Sequence, residues 1–192
     1  MSIKNLEERI QWALTPFPNG LTSSISRTDT KTVETLRKEA NAKEKAWGNK
    51  IIGQKTNVNW TTLLGESLVR DILKMKGENP RKPSKKAGYS PDWETDDFIY
   101  EVKTRNWTTT GTAGEKVLGT MYKYSDIPLL YGKPLKIICV AYQEYELTHN
   151  NTKIFGEIGK RKHEYIQLAK KHDIEYVKFS EFIKGVKYDF SK

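Results

Sequence analysis

Phe98-Ile99-Tyr100-Glu101-Val102-Lys103-Thr104-Arg105 alternates with the two-residue period of a strand. Ile99, Glu101, Lys103 and Arg105 share one face, and Phe98, Tyr100, Val102 and Thr104 share the other. A carboxylate and an ammonium two residues apart on one face are the first sign of chemistry. Upstream, 89–93 reads as a partner strand, and Glu94-Thr95-Asp96-Asp97 is a polar turn of hairpin length.

Before the hairpin, residues 60–76 carry Leu64, Leu68, Ile72 and Met75 on one helical stripe, broadened by Val69 and Leu73, and Gly77 supplies a stop. Glu66 falls at the edge of that stripe. Residues 78–90, with Pro80, Pro83, Gly88 and the cluster Arg81-Lys82-Pro83-Ser84-Lys85-Lys86, read as a cationic loop with Lys85 and Lys86 as phosphate contacts. Downstream, 107–114 reads as a loop, 115–124 as a short helix ended by Ile127-Pro128, and 135–142 as a strand buried on both faces. That order implies parallel pairing through a crossover. A helix over 160–171 and a strand over 174–179 complete the sheet.

Toward the N-terminus, 3–14 has helical spacing at Ile3, Leu6, Ile10 and Ala13 and is closed by Thr15-Pro16-Phe17-Pro18-Asn19-Gly20. The charged stretch 27–47 reads as an exposed helix, either a solvated face or a contact surface for a second subunit or DNA. The expected fold is α/β: a central mixed β-sheet flanked by helices, with a helical N-terminal segment. One domain spans 1–192, with 1–59 as that segment and 60–192 as the core.

Lys plus Arg number 33 against 24 Asp plus Glu, a net charge of +9 that favours a polyanionic partner. The single cysteine, Cys139, rules out an intramolecular disulfide and lies in an apolar run, so a buried small hydrophobe is expected. No stretch reaches the ~20 apolar residues that span a bilayer, and the mixed charges after Met1 lack a signal core, so a cytoplasmic location is expected. His149, His163 and His172 lack the spacing of a zinc or histidine-based nuclease site, and no nucleotide-binding phosphate loop is present.

Phosphodiester hydrolysis needs an activated water and neutralisation of charge at phosphorus, which carboxylate-bound Mg²⁺ and a nearby lysine supply. Asp92, beside the hairpin turn, and Glu101-Val102-Lys103 meet that geometry. Of the two acidic-x-Lys triplets, Asp29-Thr30-Lys31 and Glu101-Val102-Lys103, only the second lies in a strand pattern. The competing reading for Glu101 and Lys103 is a charge pair on a solvated sheet face. For Asp92 it is a turn residue, and for Glu66 a surface helix carboxylate.

Ser90-Pro91-Asp92, an eight-residue gap and Glu101-Val102-Lys103 resemble the PD-(D/E)xK nuclease superfamily, most closely its type II restriction endonucleases. The resemblance covers about 60–142. Glu66, in Leu64-Gly65-Glu66-Ser67-Leu68, matches the glutamate often carried by that superfamily's core helix. The resemblance implies a restriction-endonuclease-like core and Mg²⁺-dependent cleavage of double-stranded DNA leaving 5′-phosphates. Asp92 and Glu101 would be metal ligands, with the Val102 carbonyl as a further oxygen ligand. Glu66 would serve a second metal or its water shell. Lys103 would orient or help deprotonate the attacking water, or stabilise transition-state charge. Asp96 and Asp97 are substitutes for Asp92 if the hairpin register is displaced.

After the strand, Arg105, Asn106, Thr108, Thr110, Thr112 and Lys116 offer donors and charge for DNA phosphates, in a segment that resembles loops of restriction enzymes. The same segment also reads as a Thr-rich turn capping a helix. A palindromic site would favour a homodimer, and a restriction enzyme can have a cognate DNA methyltransferase as partner. Two alternatives stay open: a structure-specific or repair nuclease resembling junction resolvases, and a DNA-binding module that does not cleave.

Overall fold

The computed structural model describes residues 3–15, 30–55, 59–109 and 113–186. Its α/β architecture is a four-stranded mixed sheet flanked by helices. The N-terminal part holds α1 (Ile3–Leu14) and α2 (Thr30–Ile51), followed by α3 (Trp60–Met75). Leu64, Leu68, Val69, Ile72 and Leu73 of α3 are fully buried, so the helix exists because one stripe of it is apolar and covered. It ends where Gly77 adopts φ +82°, which lets Glu78 N–H return to the Leu73 carbonyl at 3.0 Å.

The sheet runs β1 (Trp93–Glu94), β2 (Ile99–Arg105), β3 (Leu135–Ala141), β4 (Ile174–Lys178) in both chain and spatial order. β1 is antiparallel to β2, pairing Trp93 with Tyr100, and β2, β3 and β4 are parallel, pairing Glu101 with Ile137 and Ile137 with Tyr176. Between β2 and β3 lie α4 (Ala113–Leu118), α5 (Thr120–Lys123) and α6 (Ile127–Tyr131). α7 (Tyr142–His149) and α8 (Lys160–Lys171) precede β4, and α9 (Phe179–Phe182) follows it.

The period-two division of β2 sorts two cores. Tyr100 and Val102 pack with Ile138, Val140, Ile10 of α1, Leu68 and Ile72 of α3, and Phe179. Ile99 packs on the other face with Ile137, Cys139, Val117, Tyr124, Ile127 and Leu147. α3 approaches β2 so closely that a Cβ on Gly65 would stand 1.7 Å from Thr104 Oγ1. Only glycine permits that approach, and it brings the next residue, Glu66, to the sheet.

Several expectations are corrected. The strand expected over 89–93 shrinks to Trp93–Glu94, because Pro91 has no N–H to donate and the backbone of Tyr89 is already paired with Lys86 in a tight turn. The cationic loop, too charged to read as a strand, still contributes one paired residue: Arg81 exchanges both backbone hydrogen bonds with Glu94 at 2.9 Å. The helix expected over 115–124 is divided at Gly119, and Pro128 sits in the first turn of α6 instead of ending a helix. α7 and α9 were not foreseen.

α1 is built into the core. Ile10 is fully buried, and the buried Arg9 guanidinium meets Asp71 of α3 at 2.7 Å. The start of the expected helix over 27–47 and the breakers 16–20 lie outside the described residues. Among those described, no helix is long and apolar enough to cross a membrane.

Candidate active site

The cluster lies at the open edge of β2. β1 covers only Ile99 and Tyr100, so among the described residues the rest of β2 has no strand beside it on that side. Around this edge groups from both sheet faces meet: Glu101 and Lys103 from β2, Asp92 from the residue before β1, and Glu66 from α3.

Glu101 is buried, with 5% of its surface exposed, and Lys103 Nζ lies 2.6 Å from its Oε1. Its Oε2 is buried and, among the described residues, has no hydrogen-bond partner. Such an oxygen is costly unless a cation or water meets it. The Tyr124 phenol faces Glu101, and burial together with that carboxylate raises its pKa. Lys103 Nζ is 5.9 Å from the Tyr124 ring centroid.

Asp92 accepts the Val102 N–H through Oδ2 at 2.7 Å. Its carboxyl is pushed up to about 7, first by burial and then by the negative charges of Glu101 and Glu66; the Val102 N–H and the Lys82 ammonium oppose that rise. The N–H and C=O of one residue leave a strand on the same side. Because Val102 N–H points to Asp92, its carbonyl is also directed to the open edge.

Glu66 is half-buried, and Lys82 Nζ stands 3.1 Å from its Oε2. The Glu66 carbonyl accepts the Trp93 indole N–H at 2.9 Å, and Lys82 Nζ lies over the Trp93 ring, 4.2 Å from the centroid.

Do these residues suit a hard divalent cation? Among the described residues, no three His, Cys, Asp or Glu side chains form a ready metal-binding group. The donors are therefore two carboxylates, Asp92 and Glu101, plus the edge-facing Val102 carbonyl. Mg²⁺ commonly keeps several waters and takes one or two carboxylates, so this set fits it. The partnerless Glu101 Oε2 and the crowding that raises Asp92 would both be relieved by positive charge. Asp96 does not substitute for Asp92: it is exposed and paired with Arg81 at 3.0 Å, and Asp97 is exposed as well.

The expected DNA contacts divide. Lys85, Lys86 and Lys116 are exposed, Lys86 resting on the Leu130 carbonyl at 3.0 Å. Thr108 hydrogen-bonds Asn41 at 2.9 Å. Thr110 and Thr112 lie outside the described residues. Arg105 and Asn106 are corrected, being 8% and 4% exposed. The Arg105 guanidinium pairs with Glu146 of α7 and donates to the Thr109 carbonyl at 2.5 Å, and Asn106 donates to Glu44 of α2 at 3.0 Å and to Thr108 at 2.6 Å. Both face inward because α7 lies over the end of β2 and Glu44 of α2 reaches Asn106.

Arg105→Ala should accordingly lower stability by about 3–5 kcal/mol, by leaving Glu146 buried and unpaired. It should leave the salt dependence of DNA binding unchanged. Denaturant titration and salt-dependent binding check this. An unchanged midpoint with a salt slope reduced by about one would sink the assignment.

Sequence reasoning missed Lys82 and Tyr124 as members of the cluster. Lys82 lies in the basic loop, where nothing local distinguishes it from its neighbours. Lys123-Tyr124 reads from sequence as a solvated helix face or a DNA contact, yet Tyr124 is buried, with 6% of its surface exposed.

The fold and cluster together define an α/β chain with an acidic, lysine-bearing group at the open edge of its sheet. Compared with protein-family models, curated proteins and solved structures, the chain matches none of them.

Proposed function

We propose that the chain is a Mg²⁺-dependent endonuclease of the PD-(D/E)xK class with a restriction-endonuclease-like core, hydrolysing phosphodiester bonds in double-stranded DNA and most like a type II restriction enzyme. The observation that carries this reading is the meeting of Asp92, Glu101 and Lys103 at one open strand edge, with Glu101 Oε2 buried and partnerless and Asp92 raised to about 7. A structural charge pair on a solvated face would leave neither feature. Mg²⁺ held by Asp92, Glu101 and the Val102 carbonyl would supply charge neutralisation and an acidified water.

The chain's own contributions follow from position. Lys103 brings a fixed ammonium beside Glu101, with 27% of its side chain exposed and so reachable by a phosphate. The buried Tyr124 phenol faces Glu101. Lys85, Lys86 and Lys116 add positive charge for the duplex backbone. A homodimer cutting one strand per subunit, and a methyltransferase acting on the same site, belong to the proposal.

Digestion of plasmid DNA with Mg²⁺, followed by sequencing of the ends, tests it. Discrete fragments with 5′-phosphates at one sequence are expected. Cleavage confined to branched or damaged DNA would replace the restriction role with a structure-specific one, and binding without cleavage of any substrate would sink the enzyme.

A further inference from the structure

Glu66, like Glu101 with Lys103, already has a cation, but this one comes from a separate loop and is held over an aromatic ring. Lys82 Nζ stands 3.1 Å from Glu66 Oε2 and 4.2 Å from the centroid of the Trp93 indole. An exposed lysine beside a glutamate is ordinarily a weak and mobile pair. Here the surroundings hold it. The indole is oriented by its own hydrogen bond to the Glu66 carbonyl at 2.9 Å, and its face attracts the ammonium. The backbone before Lys82 is pinned, since Arg81 exchanges two hydrogen bonds with Glu94. The backbone after it is stiffened by the buried Pro83. Glu66 thus positions the ring, the ring holds the ammonium, and the ammonium neutralises Glu66.

We propose that Lys82 is a built-in counter-ion at Glu66, so that the site takes one divalent cation, at Asp92 and Glu101, and excludes a second from Glu66. The inference rests on the nuclease reading and deepens it. A divalent ion on Glu66 would have to share its carboxylate with an ammonium 3.1 Å away, and like charges repel. At Glu101 the ammonium lies on Oε1 and leaves the buried Oε2 to the cation, with Asp92 adding a second carboxylate. The ammonium also acts on the neighbouring carboxylate, easing the charge on Asp92. Arg81 does not share the role, because its guanidinium is spent on Glu94 and Asp96.

The test counts Mn²⁺ bound per chain, from the loss of the free-ion magnetic resonance signal, in the full chain without DNA. Wild type should bind one Mn²⁺, and Asp92→Asn should bind none. Lys82→Met keeps an apolar stem on Trp93 and removes the charge; it should bind two, and the double variant Lys82→Met with Glu66→Gln should return to one. Thermal denaturation checks that each variant is folded. A single Mn²⁺ in both wild type and Lys82→Met, or two in wild type, overturns the role of Lys82 and leaves the nuclease reading standing. No Mn²⁺ in wild type, or binding indifferent to Asp92→Asn, overturns the cation site itself and this inference with it.

Discussion

Asp92→Asn is expected to abolish Mg²⁺-dependent cleavage and, at the same time, to stabilise the cation-free protein at pH 8. In the unfolded chain this carboxyl titrates near its ordinary 3.8, whereas in the folded chain burial and the charges of Glu101 and Glu66 raise it to about 7. The folded state therefore binds the proton more tightly. Its stabilising contribution is complete below about pH 4 and is lost as pH rises through about 7. Above that, the ionised Asp92 weakens the fold by roughly 2–4 kcal/mol.

Asparagine keeps an oxygen for the Val102 N–H and carries no charge. At pH 8 in EDTA the variant should thus melt roughly 5–15 °C higher than wild type, the difference vanishing near pH 4. Adding Mg²⁺ should raise the wild-type transition and leave that of the variant unmoved. Thermal denaturation at the two pH values, with EDTA and with Mg²⁺, reads all of this. A variant that melts lower than wild type at pH 8 would show that the Asp92 carboxylate is structural. The same proton competes with the cation, so cation affinity should fall as pH drops through 7.

Lys103→Ala should slow single-turnover cleavage by about 10²–10⁴ while changing DNA affinity only a few-fold. Lys103 contributes one ammonium among many to the basic surface, but it is the one 2.6 Å from Glu101. Its removal leaves the buried Glu101 carboxylate without a positive neighbour, so cation affinity should hold or increase. Rapid-quench kinetics and binding measured with Ca²⁺ separate the two effects. If saturating Mg²⁺ restores the rate, Lys103 acts only by tuning Glu101. If affinity and rate fall together, it is a DNA contact and no more.

Local periodicity was enough for much of the framework. The bounds of α1 and α8 and the stripe of α3 follow from helical spacing, and the faces of β2 follow from alternation, since each depends on chain geometry over a few residues. The parallel pairing of β2 with β3 was readable from a buried apolar run after a helical segment. Alternation says which face a residue takes and not what covers it. Arg105 shares a face with Glu101 and Lys103, yet it is buried against Glu146 because α7 lies over that end of the strand. Likewise, α7 begins directly at the end of β3, through Ala141 at φ +58°, where no breaker in the sequence announces a change of element.

The sequence by itself determined that Glu101 and Lys103 would emerge together, because a strand allows no other arrangement of residues two apart. Tertiary structure decided what surrounds them. Asp92 reaches the edge because Pro91 delays β1, Glu66 because Gly65 lets α3 close on Thr104, and Lys82 because Trp93 presents its ring. Each of these depends on packing between segments distant in sequence, and that packing gives every carboxylate its own burial and its own neighbour.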